Sequence, residues 1–421
     1  MTGKPWGRLA ACAGLPTPLL LLLALPPSSL TAQVTVFSHA TVIDGSGREP
    51  SRDATLVVSN GRISEMGPAS KVKTPDGAQV IDLTGQTIIP GIINLHSHIP
   101  ENTAGRIRTF AKYGITSTTG LGGDGEEVLK IRAEQRQGNI QGARVYTAQR
   151  RFEFDKDPVE ARAMVGTLAS QHVDMVKIVV DDRRGTAVKL PREVAIAVID
   201  EAHRRHLKVF AHIHDYDDAK FLVDRGVDML AHEVRDRDVD DALISEMKKK
   251  RVVITATLSR EQSVFVFADS PAWINDPFFV NGTTPERLRR AAELKETQAK
   301  DPAIALNRKD FEYAARNLKK MAEAGVRIGF GSDSGNGPPR YEGFFEHLEM
   351  ELMVKNGGMT PMQVIQAFSK TNSEALGVEK DFGTLARGKV ADFVVLRRNP
   401  LDDIVNTRTI TAVYIGGKKF E

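Results

Sequence analysis

Residues 87–98 read Thr87-Ile88-Ile89-Pro90-Gly91-Ile92-Ile93-Asn94-Leu95-His96-Ser97-His98. The unbroken apolar character of 87–95 predicts a strand buried on both faces, the kind found in a parallel sheet. Residues two apart on a strand point to one side. His96 and His98 therefore leave the C-terminal end of this strand together, and two neutral imidazoles so placed can share a transition-metal ion. Taken alone, the pair fits a solvated strand edge equally well. Its weight comes from similar endings that recur downstream.

Four later apolar segments each carry a candidate ligand. Asp174-Met175-Val176-Lys177-Ile178-Val179-Val180 has a lysine at its middle. Lys208-Val209-Phe210-Ala211-His212-Ile213-His214 ends in a second HxH. Val227-Asp228-Met229-Leu230-Ala231-His232 ends in one histidine, and Val326-Arg327-Ile328-Gly329-Phe330-Gly331-Ser332-Asp333 in an aspartate. The order HxH, Lys, His, His, Asp resembles the metal-dependent amidohydrolase superfamily over nearly the whole chain. The stretches VFAHIHDYDDAKFLVDRGVDMLAH (209–232) and FGTLARGKVADFVVL (382–396) resemble its imidazolonepropionase-like and prolidase-like (Xaa-Pro dipeptidase) branch.

That resemblance implies an α/β fold, a (β/α)8 TIM barrel with a small β-sandwich formed by both chain ends. It also implies two divalent metal ions, zinc by preference, held by His96, His98, Lys177, His212, His232 and Asp333. Lys177 is flanked by Met175, Val176, Ile178 and Val179, and loss of hydration there favours the neutral amine. A lysine snorkelling to a rim is the alternative reading. In the resembled family this lysine is carboxylated by CO2, and its carbamate bridges the two ions. A hydroxide shared by ions about 3.5–4 Å apart would attack an amide carbonyl. Asp333, the catalytic residue, would carry the water proton to the leaving nitrogen. The implied activity is hydrolysis of a carbon–nitrogen bond in a small-molecule amide or dipeptide, such as an N-acyl amino acid or a dipeptide ending in proline.

Three further residues are candidates for substrate contact. His214 shares a face with His212 but lies further up the mouth, which suits a pocket-lining residue better than a ligand. Tyr216 and Arg235, just beyond His214 and His232, sit where they could hold a substrate carboxylate. His39, His172, His203, His206 and His347 read as solvated or structural. Related sites hydrolyse lactones and phosphotriesters or deaminate purines, but a mononuclear deaminase has no need of Lys177. A catalytically silent scaffold is marked by lost ligands, and here every position is filled.

The chain divides into a leader (1–32), a first β-segment (33–86), the barrel (87–378) and a second β-segment (379–421). Asp44-Gly45 and Asn60-Gly61 mark turns, and 55–64 carries a hairpin signature. Neither terminal segment buries enough surface to stand alone, so the two should meet. Between them, strands end near His98, Leu121, Thr147, Val180, His214, His232, Leu258 and Asp333. Helical stretches such as 191–205 and 309–324 separate them. The long connection 259–307 holds Phe265, Phe267, Trp273, Phe278 and Phe279, and either shapes the pocket or packs outside the barrel.

A chain of 421 residues, 41% hydrophobic, suffices for one barrel and an accessory domain. Lys4 and Arg8 supply two of its +3 formal charges, which leaves no basic field for nucleic acid. These two cations, the apolar run 19–25 and Leu30-Thr31-Ala32 before Gln33 form a signal-peptide pattern and imply export to a periplasm or the exterior. The run is too short for a stable membrane anchor. Leu9-Ala10-Ala11-Cys12 resembles a lipobox but precedes the leucines instead of following them. Cys12 is the only cysteine, so the mature chain has neither disulfides nor thiolate ligands. A homo-oligomer is compatible with the sequence but not indicated by it. Mass spectrometry of the chain recovered from an exporting host should find Gln33 at its N-terminus. A chain that still starts at Met1 would refute the leader.

Overall fold

A computed structural model describes residues 34–335 and 340–421, so the signal-peptide reading lies outside the described residues. The chain begins with β1 (Val34–Val42), β2 (Ser51–Ser59), β3 (Arg62–Pro68) and β4 (Gln79–Asp82). Asn60 and Gly61, both at positive φ, make the tight turn of the β2–β3 hairpin. The single strand expected over 87–95 is two strands, β5 (Thr87–Pro90) and β6 (Ile92–Ser97). They belong to different sheets, and the break is at Gly91. A Cβ there would lie 2.2 Å from the Thr116 hydroxyl, so only glycine lets the chain pass. Thr87 and Ile88 pair with β1 and all of Thr87–Pro90 with Phe393–Leu396, so the sheet of the terminal segments runs to Pro90 rather than ending at residue 86.

Beyond β6 come β7 (Ile115–Gly120), β8 (Arg144–Thr147), β9 (Arg151–Phe152), β10 (Met175–Val180), β11 (Lys208–Ile213), β12 (Met229–Ala231), β13 (Val253–Ala256) and β14 (Arg327–Phe330). They form two parallel sheets, β6-β7-β8 and β9 through β14, each in chain order. Every residue of β6, β7, β8, β10, β12 and β13 is buried, as strands covered on both faces must be. β8 pairs with β7, and β9, three residues further on, pairs with β10. The two sheets touch at both margins. The Asp174 N–H donates to the Thr147 carbonyl at 2.9 Å, and Ser97 bridges Ser334 in parallel.

Helices occupy the connections, among them Arg192–Arg204 and Ile304–Glu323. Of the apolar residues that recur there at helical spacing, the second buries Ala314, Ala315, Leu318 and Met321, while Phe311 is only partly buried. The long insertion after β13 does both things its sequence allowed. Trp273, Phe278 and Phe279 pack on Phe344, Tyr113 and His347 with ring centroids about 5 Å apart. Its first helix, Leu258–Ser263, meanwhile sends Arg260 into a cavity at the strand ends.

The C-terminal β15 (Phe393–Leu396), β16 (Ile410–Ile415) and β17 (Lys418–Lys419) join the N-terminal strands in one sheet of eight, β15 lying beside β5. Phe37, Phe393 and Tyr414 form its aromatic centre, with centroids 4.6–5.0 Å apart. Among the described residues, no helix is long and apolar enough to cross a membrane. Gly91→Ala should cost about 1–3 kcal/mol by overpacking. Denaturant unfolding would show a lowered midpoint, and adding Thr116→Ala should restore part of the loss. An unchanged midpoint would mean that the sheet crossing does not need glycine.

Candidate metal centre

The ends of β6 and β14 are held together before any ligand is considered. The His96 carbonyl accepts the Asp333 N–H at 2.7 Å, and the Ser334 carbonyl accepts the His98 N–H at 2.8 Å. Gly331 permits this approach, since a Cβ there would meet the Cβ of His96 at 2.6 Å. Below, the buried Glu346 carboxylate accepts from Asn94 Nδ2 and from the Ser332 and Ser334 hydroxyls, at 2.6–2.8 Å. Two imidazoles and one carboxylate are thereby gathered at a single point. Asp333 Oδ1 lies 2.9 Å from His98 Nε2 and 3.4 Å from His96 Nε2. One ligand atom from each residue falls within 4.8 Å of the others, a spacing that suits a metal ion.

The remaining candidates close around this point. The His232 ring lies 4.6 Å from that of His96 and 4.5 Å from that of His212. Lys177 sits on β10, opposite Arg151 on one side and Phe210 on the other. All six sequence-derived ligands line one cavity of about 260 Å3 at the C-terminal ends of the strands. His232 and Asp333 have φ of 92° and 52°, a region that residues other than glycine seldom occupy. Such strain is characteristic of functional sites.

Three of the candidate ligands each have one ring nitrogen already committed. His212 Nε2 donates to Asp181 at 2.9 Å, His98 Nδ1 donates to the Gly122 carbonyl at 3.0 Å, and His232 Nδ1 pairs with the Thr257 hydroxyl at 2.8 Å. The other nitrogen of each is left for a ligand, the arrangement that metal-binding histidines adopt. Burial draws His96 and His232 well below the usual imidazole range and His212 down to about 4, so all three are neutral. Burial also draws Lys177 down to about 7, against the pull of Asp333. Its Nζ and the Nδ1 of His96 are buried without a hydrogen-bond partner. Burial alone would push the Asp333 carboxyl up, but Arg340, His96 and His98 hold it well below the carboxylate range.

Three predicted substrate contacts are not brought to this cavity. Arg235 is fully buried; it pairs with Glu261 and donates to the Ile213 carbonyl at 2.6 Å. Its backbone N–H bonds the His214 carbonyl, which folds the loop back along β11 and turns the side chain inward. His214 has both nitrogens engaged, by Asp215 at 2.8 Å and by Asp310 at 3.1 Å. Tyr216 opens the helix Tyr216–Asp224, lies against Arg237 and Asp240, and is not among the residues lining the cavity. The cavity is lined instead by Arg151, Glu153, Asp181, Arg183, Arg260 and Arg340. The charged run Asp181-Asp182-Arg183-Arg184 directly behind the apolar β10 is the sequence signal that could have marked two of them. His347 is structural, held between the Tyr113 carbonyl and Thr407.

The amidohydrolase family profile matches residues 87–420, and the chain belongs to that family. It is a hydrolase acting on carbon–nitrogen bonds. Ochratoxinase of Aspergillus niger is 24% identical over 483 aligned residues, covering 96% of this chain and 91% of that protein. Imidazolonepropionase of Symbiobacterium thermophilum is 23% identical, covering 81% and 83%. The structure of a Xaa-Pro dipeptidase with methionine bound in its active site superposes with a TM-score of 0.73 at 21% identity, over 92% of this chain and all of the other. These neighbours assign the chain a TIM-barrel α/β fold. Asp181→Ala, which releases His212, should weaken metal retention about 10- to 100-fold. Competition with a chelator measures this, and retention equal to the parent chain would exclude His212 from the ligand set.

Proposed function

We propose that this amidohydrolase cleaves the amide bond of a small substrate, an N-acyl amino acid or a dipeptide, at a centre of two zinc ions. The observation that carries the reading is the orphaned amine of Lys177, buried and unpartnered beside four histidines and an aspartate. A donor set of imidazole nitrogens and carboxylate oxygens, with no thiolate, suits zinc. Bound there, the ions would supply a water that ionises near neutral pH and a Lewis acid for the carbonyl oxygen.

His96, His98 and Asp333 would hold one ion. His212 through Nδ1 and His232 through Nε2 would hold the other, because their second nitrogens are engaged by Asp181 and Thr257. The neutral amine of Lys177 would add CO2 and release a proton, and the resulting carbamate would serve both ions as an anionic oxygen ligand. Asp333 stays ionised beside Arg340, accepts the proton of the attacking water and returns it to the leaving nitrogen. In this reading the two parallel sheets form one closed (β/α)8 barrel, for which the contacts at both margins speak. The terminal sheet folds as a small β-sandwich around Phe37, Phe393 and Tyr414, and the leader exports the enzyme.

The test is Lys177→Ala in zinc-loaded protein, assayed on N-acyl amino acid and dipeptide panels. Metal content should fall from about two ions per chain toward one, with activity lost in parallel. Formate or acetate filling the vacated space should restore part of both. A variant that keeps both ions and its full rate would overturn the reading.

A further inference from the structure

Around the strand ends a charge pattern occurs three times: two arginines share one glutamate. Arg151 Nε lies 2.8 Å from Glu153, which also pairs with Arg183. Arg260 Nη1 lies 2.7 Å from Glu261, which also pairs with the buried Arg235. Arg287 Nη1 lies 2.8 Å from Glu342, which also pairs with Arg106. In each trio two arginines share one carboxylate; Arg260 Nε also lies 3.8 Å from Asp333, and Arg106 Nη2 lies 3.9 Å from Glu101. The first set lines the inner cavity, and Arg260 brings the second to it, Arg235 and Glu261 lying behind.

The third set belongs to an outer chamber of about 870 Å3, where five arginines (Arg106, Arg287, Arg289, Arg290 and Arg340) face three glutamates (Glu286, Glu293 and Glu342), Glu293 lying 3.0 Å from Arg290. Arg340 lines both spaces, so they adjoin. The inner cavity alone, about 260 Å3, is smaller than the roughly 300–1,000 Å3 that small-molecule sites occupy. A substrate whose amide lies among the strand ends therefore extends past Arg340 into the outer chamber. Burial, and after it repulsion from Arg287, draws Arg106 below the usual guanidinium range against the pull of Glu101, and an incoming anion would offset the repulsion. A guanidinium fork matches a carboxylate in shape as well as charge.

We infer that the enzyme takes a dianionic amide, one carboxylate bound near the scissile bond and a second, distal carboxylate bound in the outer chamber by Arg287 and Arg289. The substrate class is an N-acyl amino acid or dipeptide with an acidic far end. This rests on the proposed amide hydrolysis and narrows it.

The experiment uses the zinc-loaded full chain and paired substrates that differ only in the distal group, a free carboxylate or its neutral primary amide. The ratio of kcat/KM, acid over amide, should exceed about ten, and Arg287→Gln should lower it about tenfold, chiefly through KM. Arg287→Lys, which keeps the charge, should retain part of the preference. Arg289→Gln, at an exposed position, guards against a misfolded Arg287 variant and should move the ratio the same way. Raised ionic strength should shrink it as well.

Glutarate supplies a readout independent of turnover. It should raise the thermal midpoint of the parent chain more than glutaramide does, and Arg289→Gln should diminish that rise. Hydrolysis indifferent to the distal charge, with no specific glutarate effect, would overturn the dianionic substrate and leave amide hydrolysis standing. A glutarate effect sensitive to Arg289, with no amide cleaved, would instead remove the proposed reaction and keep the anion site.

Discussion

The geometry of the site hangs on the burial of one carboxylate. Glu346 is fully enclosed beneath the ends of β6 and β14, where it accepts from Asn94, Ser332, Ser334 and the Gly343 N–H. Burial raises its pKa, and those donors work against the rise. Four donors converging on one group lock both strand ends in register. Asn94 Oδ1 in turn accepts the His96 N–H at 2.9 Å, so the network reaches the first ligand directly. Asp333 can then adopt its unfavourable φ, because the residues on either side of it are pinned.

Above that support the site holds two opposite electrostatic conditions. At its floor, burial keeps three imidazoles uncharged and the Lys177 amine near neutrality, the states in which nitrogen donates a lone pair. At its walls the arginines exceed their carboxylate partners. Asp333 joins the two regions, one oxygen turned to His96 and His98 and the other to Arg340 and Arg260. An anionic substrate drawn by the walls would arrive beside the groups that react with it.

That the six candidate residues meet at one cavity was legible because strand periodicity and strand-end position are local properties. A histidine two residues from another on an apolar run has one direction available, and Lys177 announces its burial through its neighbours. Local reading failed where the chain turns. The run 87–95 looks continuous, yet Gly91 sends its halves to different sheets because Thr116, 25 residues later, occupies the space beside it. Arg235 looked like a mouth residue by its distance from His232, but the loop folds back on His214 and buries it.

By itself, the order of residues determined most of the strands and helices between the terminal segments, which side chains end the strands, and that both termini must pair to be stable. Those properties follow from alternation, hydrophobic patterning and turn chemistry within windows of about ten residues. Which arginines reach the cavity was decided only in three dimensions. Arg151 opens β9, Arg183 follows β10, Arg260 lies on the helix after β13 and Arg340 beyond β14, and nothing in the local pattern of any one of them sets its distance from the others. Loops carry little periodic signal, so their charges acquire meaning only once strand pairing has brought the ends of the sheet together.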